Sequence, residues 1–347
     1  MQELFEEIIA ASPASLPEGE MIGYSRERRS LAGYCFGQGA FRISLIAGCH
    51  ADEPVGPRFL RHFVSYLSHL PKHSPILEDY QWWIVPHANP DGEAVNRSWY
   101  RDRDEHIAFL QYLSYVRREL PGDDIEFGFP RDGGDVDARP ENKSVAAWWM
   151  KAGDSFHLHV SLHGMAFAGG PWFLIEPAWL SRCQELKAKC RRAVKELGYR
   201  LHDVDRQGEK GFRRLEEGFC TRPDSKSMTQ FFLDRQDELT AGKFRPSSME
   251  AIRSVGGDPL TLVTEMPLFI LPKVGETLGP PDPEAERWKE LIEEWKDRLR
   301  SEQTGTGAVG EEALQRGLRA MPIRDQMQLQ WVLIVAGLEQ VRLQITG

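Results

Sequence analysis

Residues 41–47, FRISLIA, are an apolar run of strand length, and the next apolar stretch repeats at helical spacing through Phe59, Leu60, Phe63, Val64, Leu67 and Leu70. Between them lies only GCHADEPVG, so a strand must feed almost directly into a helix. The pattern recurs along the chain. Residues 81–85 read as a second strand ending in PHANPDG. Residues 156–162 alternate Phe156, Leu158, Val160 and Leu162 with His157, His159 and Ser161 and end at His163-Gly164, and a fourth strand over 260–264 ends at Glu265. Trp179, Cys183, Leu186, Cys190, Val194 and Leu197 mark a helix between the third and fourth strands. Strands alternating with helices predict an α/β fold, a central sheet wrapped by helices.

After Leu271 the composition changes. PKVGETLGPPDP, over residues 272–283, is punctuated by Pro272, Pro280, Pro281 and Pro283 and predicts a linker. Beyond it, Trp288, Leu291, Ile292, Trp295 and Leu299 mark one amphipathic helix, and Ile323, Met327, Trp331, Ile334, Leu338 and Val341 another. The expected organisation is a domain over 1–271, a linker over 272–283 and a C-terminal helical extension over 284–347. The apolar faces of that extension must be buried on the body or in a homo-oligomer.

With 347 residues, 41% hydrophobic and 27% charged, the chain can build a sizeable core. Its net charge of -9 excludes a global field that would draw it to nucleic acid or anionic membranes. No apolar run approaches the roughly 20 residues that cross a bilayer. The five cysteines, Cys35, Cys49, Cys183, Cys190 and Cys220, are odd in number and contain no CxxC, which fits free thiols in a reducing compartment. The start MQELFEEIIAAS has neither a basic n-region nor an apolar h-region, so the expected location is cytoplasmic.

Polar residues gather after the strands, where open α/β sheets bind ligands. His50 and Glu53, three residues apart in a loop, can turn toward one cation, and His163 can supply a third ligand from another strand. Two His and one Glu with an open fourth position form a catalytic zinc arrangement. HxxE alone fits a surface histidine beside an exposed carboxylate better than a metal site. The pair is followed in order by NPDG at 89–92, by His163, and by Glu265 in TLVTEMP. Over roughly residues 20–270 this series resembles the zinc metallocarboxypeptidase family, the relatives of carboxypeptidase A.

The resemblance implies a mixed, mostly parallel sheet flanked by helices, and one zinc ion held by His50, Glu53 and His163. It implies Glu265 as the general base and Asp124, in GDDIEFGFP, as the group that orients His50. Arg97, in NPDGEAVNRSW, takes the place of the arginine that stabilises the oxyanion, with Arg101 a competitor. Departures accompany the matches. Glu126-Phe127 stand where the family carries the Asn-Arg pair that grips a terminal carboxylate, so Arg131 and Arg139 become candidate substrate contacts and the need for a free C-terminus is open. The family's substrate-capping tyrosine has no counterpart, Tyr199 coming too early. PENKSVAAWW, over 140–149, resembles the family's helix start, so the scaffold continues through the divergent stretch.

The implied function is zinc-dependent hydrolysis of an amide bond in a peptide or amidated small-molecule substrate. The alternatives are an amidohydrolase of the succinylglutamate desuccinylase and aspartoacylase type, an amidase of cell-wall peptides, and a non-catalytic zinc-binding relative. His157, His159, Cys49 and the tryptophans at 82, 83, 148 and 149 are expected as core groups.

Overall fold

A computed structural model describes residues 2–101, 103–279, 281–301 and 306–346. FRISLIA is β3 in the completed order of strands: β1 Glu20–Tyr24, β2 Ser30–Phe36, β3 Phe41–Ala47, β4 Tyr80–Val85, β5 Leu158–Ala168, β6 Trp172–Ile175, β7 Arg214–Glu216, β8 Phe219–Thr221, β9 Leu260–Ile270 and β10 Arg319–Ala320. They form a single sheet in the order β1-β2-β4-β3-β5-β9-β6-β8-β7, with β10 on the far end of β9. The sheet is mixed. Its centre, β4-β3-β5-β9, is parallel, whereas β1-β2, β2-β4, β9-β6, β8-β7 and β10-β9 pair antiparallel. Parallel pairing thus dominates the middle, where crossover helices cover both faces, and recurs once toward the edge between β6 and β8.

The chain leaves β3 toward β4 on one side and returns to β5 on the other, so the order reverses at the C-terminal ends of β3 and β5. A crevice opens at such a point. Gly48 makes the turn out of β3 at φ 66°, and a Cβ there would stand 2.5 Å from the His87 ring. The helix Val55–His69 then lies on β5 so closely that a Cβ on Gly56 would meet the Leu162 carbonyl oxygen at 2.6 Å. These two glycines bring residues 50–53 against β5.

Two sequence expectations need correction. The strands predicted to stop at His163 and Glu265 run on to Ala168 and Ile270, paired residue for residue from Leu158↔Leu260 to Ala168↔Ile270. Gly164 and Pro267 interrupt the apolar alternation, but the ladder between two long neighbours carries the strands through. The composition change at 272–283 is also not a break in the core. Trp288, Trp295, Ile323, Met327 and Trp331 belong to the same buried cluster as Phe59, Leu158 and Leu262. The helix Ile323–Thr346 packs against β9, the helix Val55–His69 and the helix Gln184–Glu196, and β10 adds to the sheet. The apolar faces of the C-terminal helices are thus spent on the body of the same chain. Among the described residues no helix is long and apolar enough to cross a membrane.

Candidate metal centre

The loop after β3 carries His50 and Glu53, while β5 carries His163. The fold brings the three side chains to one point. His50 Nδ1 stands 2.7 Å from Glu53 Oε1, His163 Nδ1 2.9 Å from Glu53 Oε2, and the two Nδ1 atoms 3.2 Å apart. Burial alone would disfavour the charged Glu53, but the two imidazoles hold its carboxyl well below the usual range, and Glu53 in turn raises both histidines. Two imidazole nitrogens and an ionised carboxylate within 4.8 Å of one another are a donor set that fits a zinc ion.

Register places Glu265 directly beside His163 across the β5–β9 ladder. Loss of solvent and the nearby Glu53 carboxylate push its pKa up to about 7, against the opposing pull of His163, His50 and Arg118. A carboxyl poised near neutrality beside a cation site is placed for proton transfer. Asp124 lies behind His50, but its Oδ1 is 4.0 Å from Nε2, beyond hydrogen-bond length, so the expected orienting bond is not made. Its Oδ1 accepts the Phe127 N–H at 2.9 Å.

The sequence motifs around the site prove to be its scaffolding. Asn89 caps the helix Pro90–Asn96 by accepting from Gly92 N at 3.0 Å, and its amide donates to Glu119. Glu119 accepts the Ala51 N–H at 3.1 Å, fixing the metal loop. Asn96 donates both to Ala51 O at 3.0 Å and to Arg117 O at 2.8 Å. From the start of the helix Pro140–Met150, Asn142 donates to Ile125 O at 2.7 Å and Arg139 to Asp123 O, pinning the segment that carries Asp124 and Glu126.

A family model for zinc carboxypeptidases matches residues 5–172, which includes every residue of the triad. Over these residues the chain is similar to the zinc carboxypeptidase family, from which it diverges. Zinc carboxypeptidase A 1 of Anopheles gambiae is 32% identical over 156 residues, 41% of this chain and 36% of that protein. A Drosophila melanogaster protein of the same name is 36% identical over 67 residues, 18% of this chain and 16% of its own. The matches thus span little more than a third of the curated relatives at most. In fold, the chain is similar to a candidate metallopeptidase of Shewanella amazonensis (TM-score 0.52, 13% identity, 98% of this chain and 93% of that one). It is also similar to carboxypeptidase A of Helicoverpa armigera (TM-score 0.50, 11% identity, 98% and 72%).

Of the arginines singled out in the sequence, Arg139 lines the groove beside the metal loop, whereas Arg97, Arg101 and Arg131 do not. Arg97 follows the helix Pro90–Asn96 and turns back one turn, its Nη2 2.7 Å from Glu93 Oε1 and its guanidinium over the Tyr100 ring; its side chain is 42% exposed. Arg101 is exposed, and its N–H donates to Asp104. Arg131 donates to the carbonyls of Gly242 and Phe244, and buried Arg139 pairs with Glu141 at 3.1 Å. The arginine that the fold brings to the triad is Arg118, with Nη2 3.7 Å from Glu53 Oε1 and Nη1 3.3 Å from Asp52 Oδ2. Nothing in the spacing of VRRELPGDD marks it. The Asn96 clamp on Arg117 O, contiguous with Arg118, is what sets its place.

Most other expectations hold. His159 is buried, with Nδ1 3.0 Å from Ser44 Oγ and Nε2 3.3 Å from Ser248 Oγ; His157, just before β5, is instead half-buried rather than a core group and accepts the Arg42 N–H at 3.0 Å. Trp82, Trp83, Trp148 and Trp149 are core residues. Tyr199 is turned away to Asp325 on the C-terminal helix. Cys49 is buried, and its thiol is pushed up to about 11 by desolvation.

Proposed function

We propose that the chain hydrolyses an amide bond in a peptide or peptide-like substrate, with His50, Glu53 and His163 as zinc ligands and Glu265 as general base. The observation that carries this reading is the convergence of two imidazoles and one carboxylate with a second carboxyl, near neutral pKa, on the neighbouring strand. Zinc held there supplies Lewis acidity toward the scissile carbonyl and lowers the pKa of an attacking water. Glu265, beside His163 and with its pKa near neutrality, would accept a proton from an attacking water and return it to the departing nitrogen. Arg118, 47% exposed and with Nη2 3.7 Å from Glu53 Oε1, is the group we assign to stabilise the negative charge that develops on the carbonyl oxygen. Arg118 and Ala51 also border a groove of about 430 Å³, which supplies space for the acyl side of a substrate.

The leaving-group side is unlike that of a strict carboxypeptidase. Glu126 is occupied by His163 and Arg222, and Phe127 is buried against Phe244 with ring centroids 5.7 Å apart. Neither offers a grip for a terminal carboxylate, so the reading extends to amides without one. Five free cysteines support action in a reducing compartment, in keeping with the cytoplasmic expectation. The test is a panel of acylated amino acids, free-ended peptides and peptide amides offered to the zinc-loaded protein and to Glu265→Gln. Hydrolysis by the native sequence that falls about 100- to 10,000-fold in the variant, with zinc content unchanged, is the expected result. Turnover unaffected by the substitution removes Glu265 from its role, and no hydrolysis of any panel member by the zinc-loaded native protein overturns the reading.

A further inference from the structure

The His163 ring has two polar ends, and only one faces the triad. Its Nε2 stands 3.3 Å from Glu126 Oε2. An imidazole that offers one nitrogen to a cation is neutral and carries its proton on the other nitrogen, so the group beyond that second nitrogen decides which face is presented. Glu126 is held with unusual completeness for this task. Ser248 Oγ lies 3.0 Å and 2.9 Å from its two oxygens, and Arg222 Nη2 donates to Oε1 at 2.9 Å. Arg222 Nη2 also donates to Ser248 Oγ, and His159 Nε2 lies on the other side of that hydroxyl.

All of these groups are buried; the Arg222 side chain is 1% exposed, and its Nε and Nη1 have no hydrogen-bond partner among the described residues. A carboxylate placed here without partners would be costly to bury, and so would the guanidinium. Glu126 thus replaces an expected substrate-gripping residue with a group that points inward, at the back of a metal ligand. Behind His50 the arrangement is looser, with Asp124 at 4.0 Å.

We propose that Glu126 is a positioning residue for His163, accepting the Nε2 proton so that Nδ1 is presented to the metal, with Arg222 and Ser248 holding the Glu126 carboxylate in place. The proposal rests on the reading of His50, Glu53 and His163 as the ligands. The same atoms have a rival use. Cys49, Glu126 and His163 also offer ligand atoms within 4.8 Å of one another, which would make Glu126 a ligand itself and leave His50 and Glu53 out.

The experiment uses the full chain loaded with zinc, and separately with Co(II) as a spectroscopic stand-in. The variants are Glu126→Ala, Glu126→Gln, Cys49→Ser and His50→Ala. Zinc affinity is read by competition with a chelator, and the ligand field by the visible Co(II) spectrum. Glu126→Ala is expected to weaken zinc binding about 10- to 100-fold and to shift the Co(II) bands. Glu126→Gln, which keeps an acceptor oxygen and the same shape, is expected to recover part of the affinity, and Cys49→Ser to change neither readout.

Native affinity and an unshifted spectrum in Glu126→Ala overturn the positioning role; should that variant not fold, the same result in Glu126→Gln does so. A near-ultraviolet thiolate-to-cobalt band that Cys49→Ser removes also overturns it, in favour of the rival site. His50→Ala separates the two levels of the argument. If it binds zinc as tightly as the native sequence, the ligand assignment itself falls, whereas a large loss there with an indifferent Glu126 sinks only the positioning role.

Discussion

His50 and His163 turn the same nitrogen toward the same point, but what stands behind each ring differs. The His50 side chain is 17% exposed, sits in a loop, and has Asp124 at 4.0 Å behind it. The His163 side chain is 3% exposed, belongs to a central strand paired on both sides, and backs onto the buried Glu126–Arg222–Ser248 network. On the proposed assignment, one ligand is left free to tilt from the solvent side. The other is fixed from within, so the geometry of the centre is referred to β5 and the loop adapts to it. A metal centre built this way combines a rigid ligand with an adjustable one, and the rigid half carries the larger structural commitment.

The largest test of that asymmetry is removal of each ring. His163→Ala and His50→Ala should both lower zinc affinity beyond the roughly 100-fold scale of outer-sphere changes, since each deletes a ligand. Only His163→Ala should also lower the melting temperature of the metal-free protein markedly, because it leaves Glu126 and Arg222 buried without their third partner. Equal melting temperatures for the two variants would erase the distinction.

Arg222→Met against Arg118→Met comes next. The buried pair with Glu126 predicts a loss of about 3–5 kcal/mol for Arg222→Met in denaturant titration, from the uncompensated carboxylate left behind. Arg118, half-exposed at the other side of the triad, should cost less than Arg222 when replaced, while hydrolysis falls. A reversed order would mean that the buried network does not carry the rigidity ascribed to it.

A pH series sharpens the same point. Burial would raise the Glu126 carboxyl, but Arg222 and His163 outweigh it and hold it well below its usual range. A carboxyl depressed in the folded state contributes stability that is complete above its unfolded pKa, about 4.3, and is lost as the pH falls below that value. Metal-free Glu126→Gln should therefore lose stability less steeply than the native sequence below about pH 5. Parallel acid limbs would separate Glu126 from the acid sensitivity of the fold. The smallest effect is expected for Asp124→Asn. At 4.0 Å from Nε2 its carboxylate supports His50 only weakly, so zinc affinity should fall less than about 10-fold, and less than in Glu126→Ala. A larger fall would show that the loop ring is held as firmly as the strand ring.

The legibility of the site follows the distance over which each group is placed. His50 and Glu53 share one loop, directly after a strand whose period is plain in FRISLIA, so their convergence is readable from neighbours in the chain. Glu126 is noticed in the sequence only as a departure, because the partners that give it a role, Arg222 and Ser248, lie 96 and 122 residues away. Arg97 was the arginine that spacing from NPDG favoured. Its own helix turns it back onto Glu93, and a different segment, clamped through Asn96, delivers Arg118. The edge strands β1, β2, β6, β7 and β8 carry too little alternation to be seen in advance.

Hydrophobic period, turn residues and the order of ligand motifs were determined by the sequence by itself, because each depends on covalent neighbours within a turn or a strand. From them came the α/β class, the triad and Glu265. The tertiary structure alone decided that β5 and β9 run past the site in register, that the C-terminal helices complete the core, and that Arg118 rather than Arg97 faces the metal loop. It also decided that a glutamate in an unexpected position lies behind the His163 ring. Those outcomes depend on which distant groups a sheet register and a shared core bring within a few ångströms, and no local pattern encodes that distance.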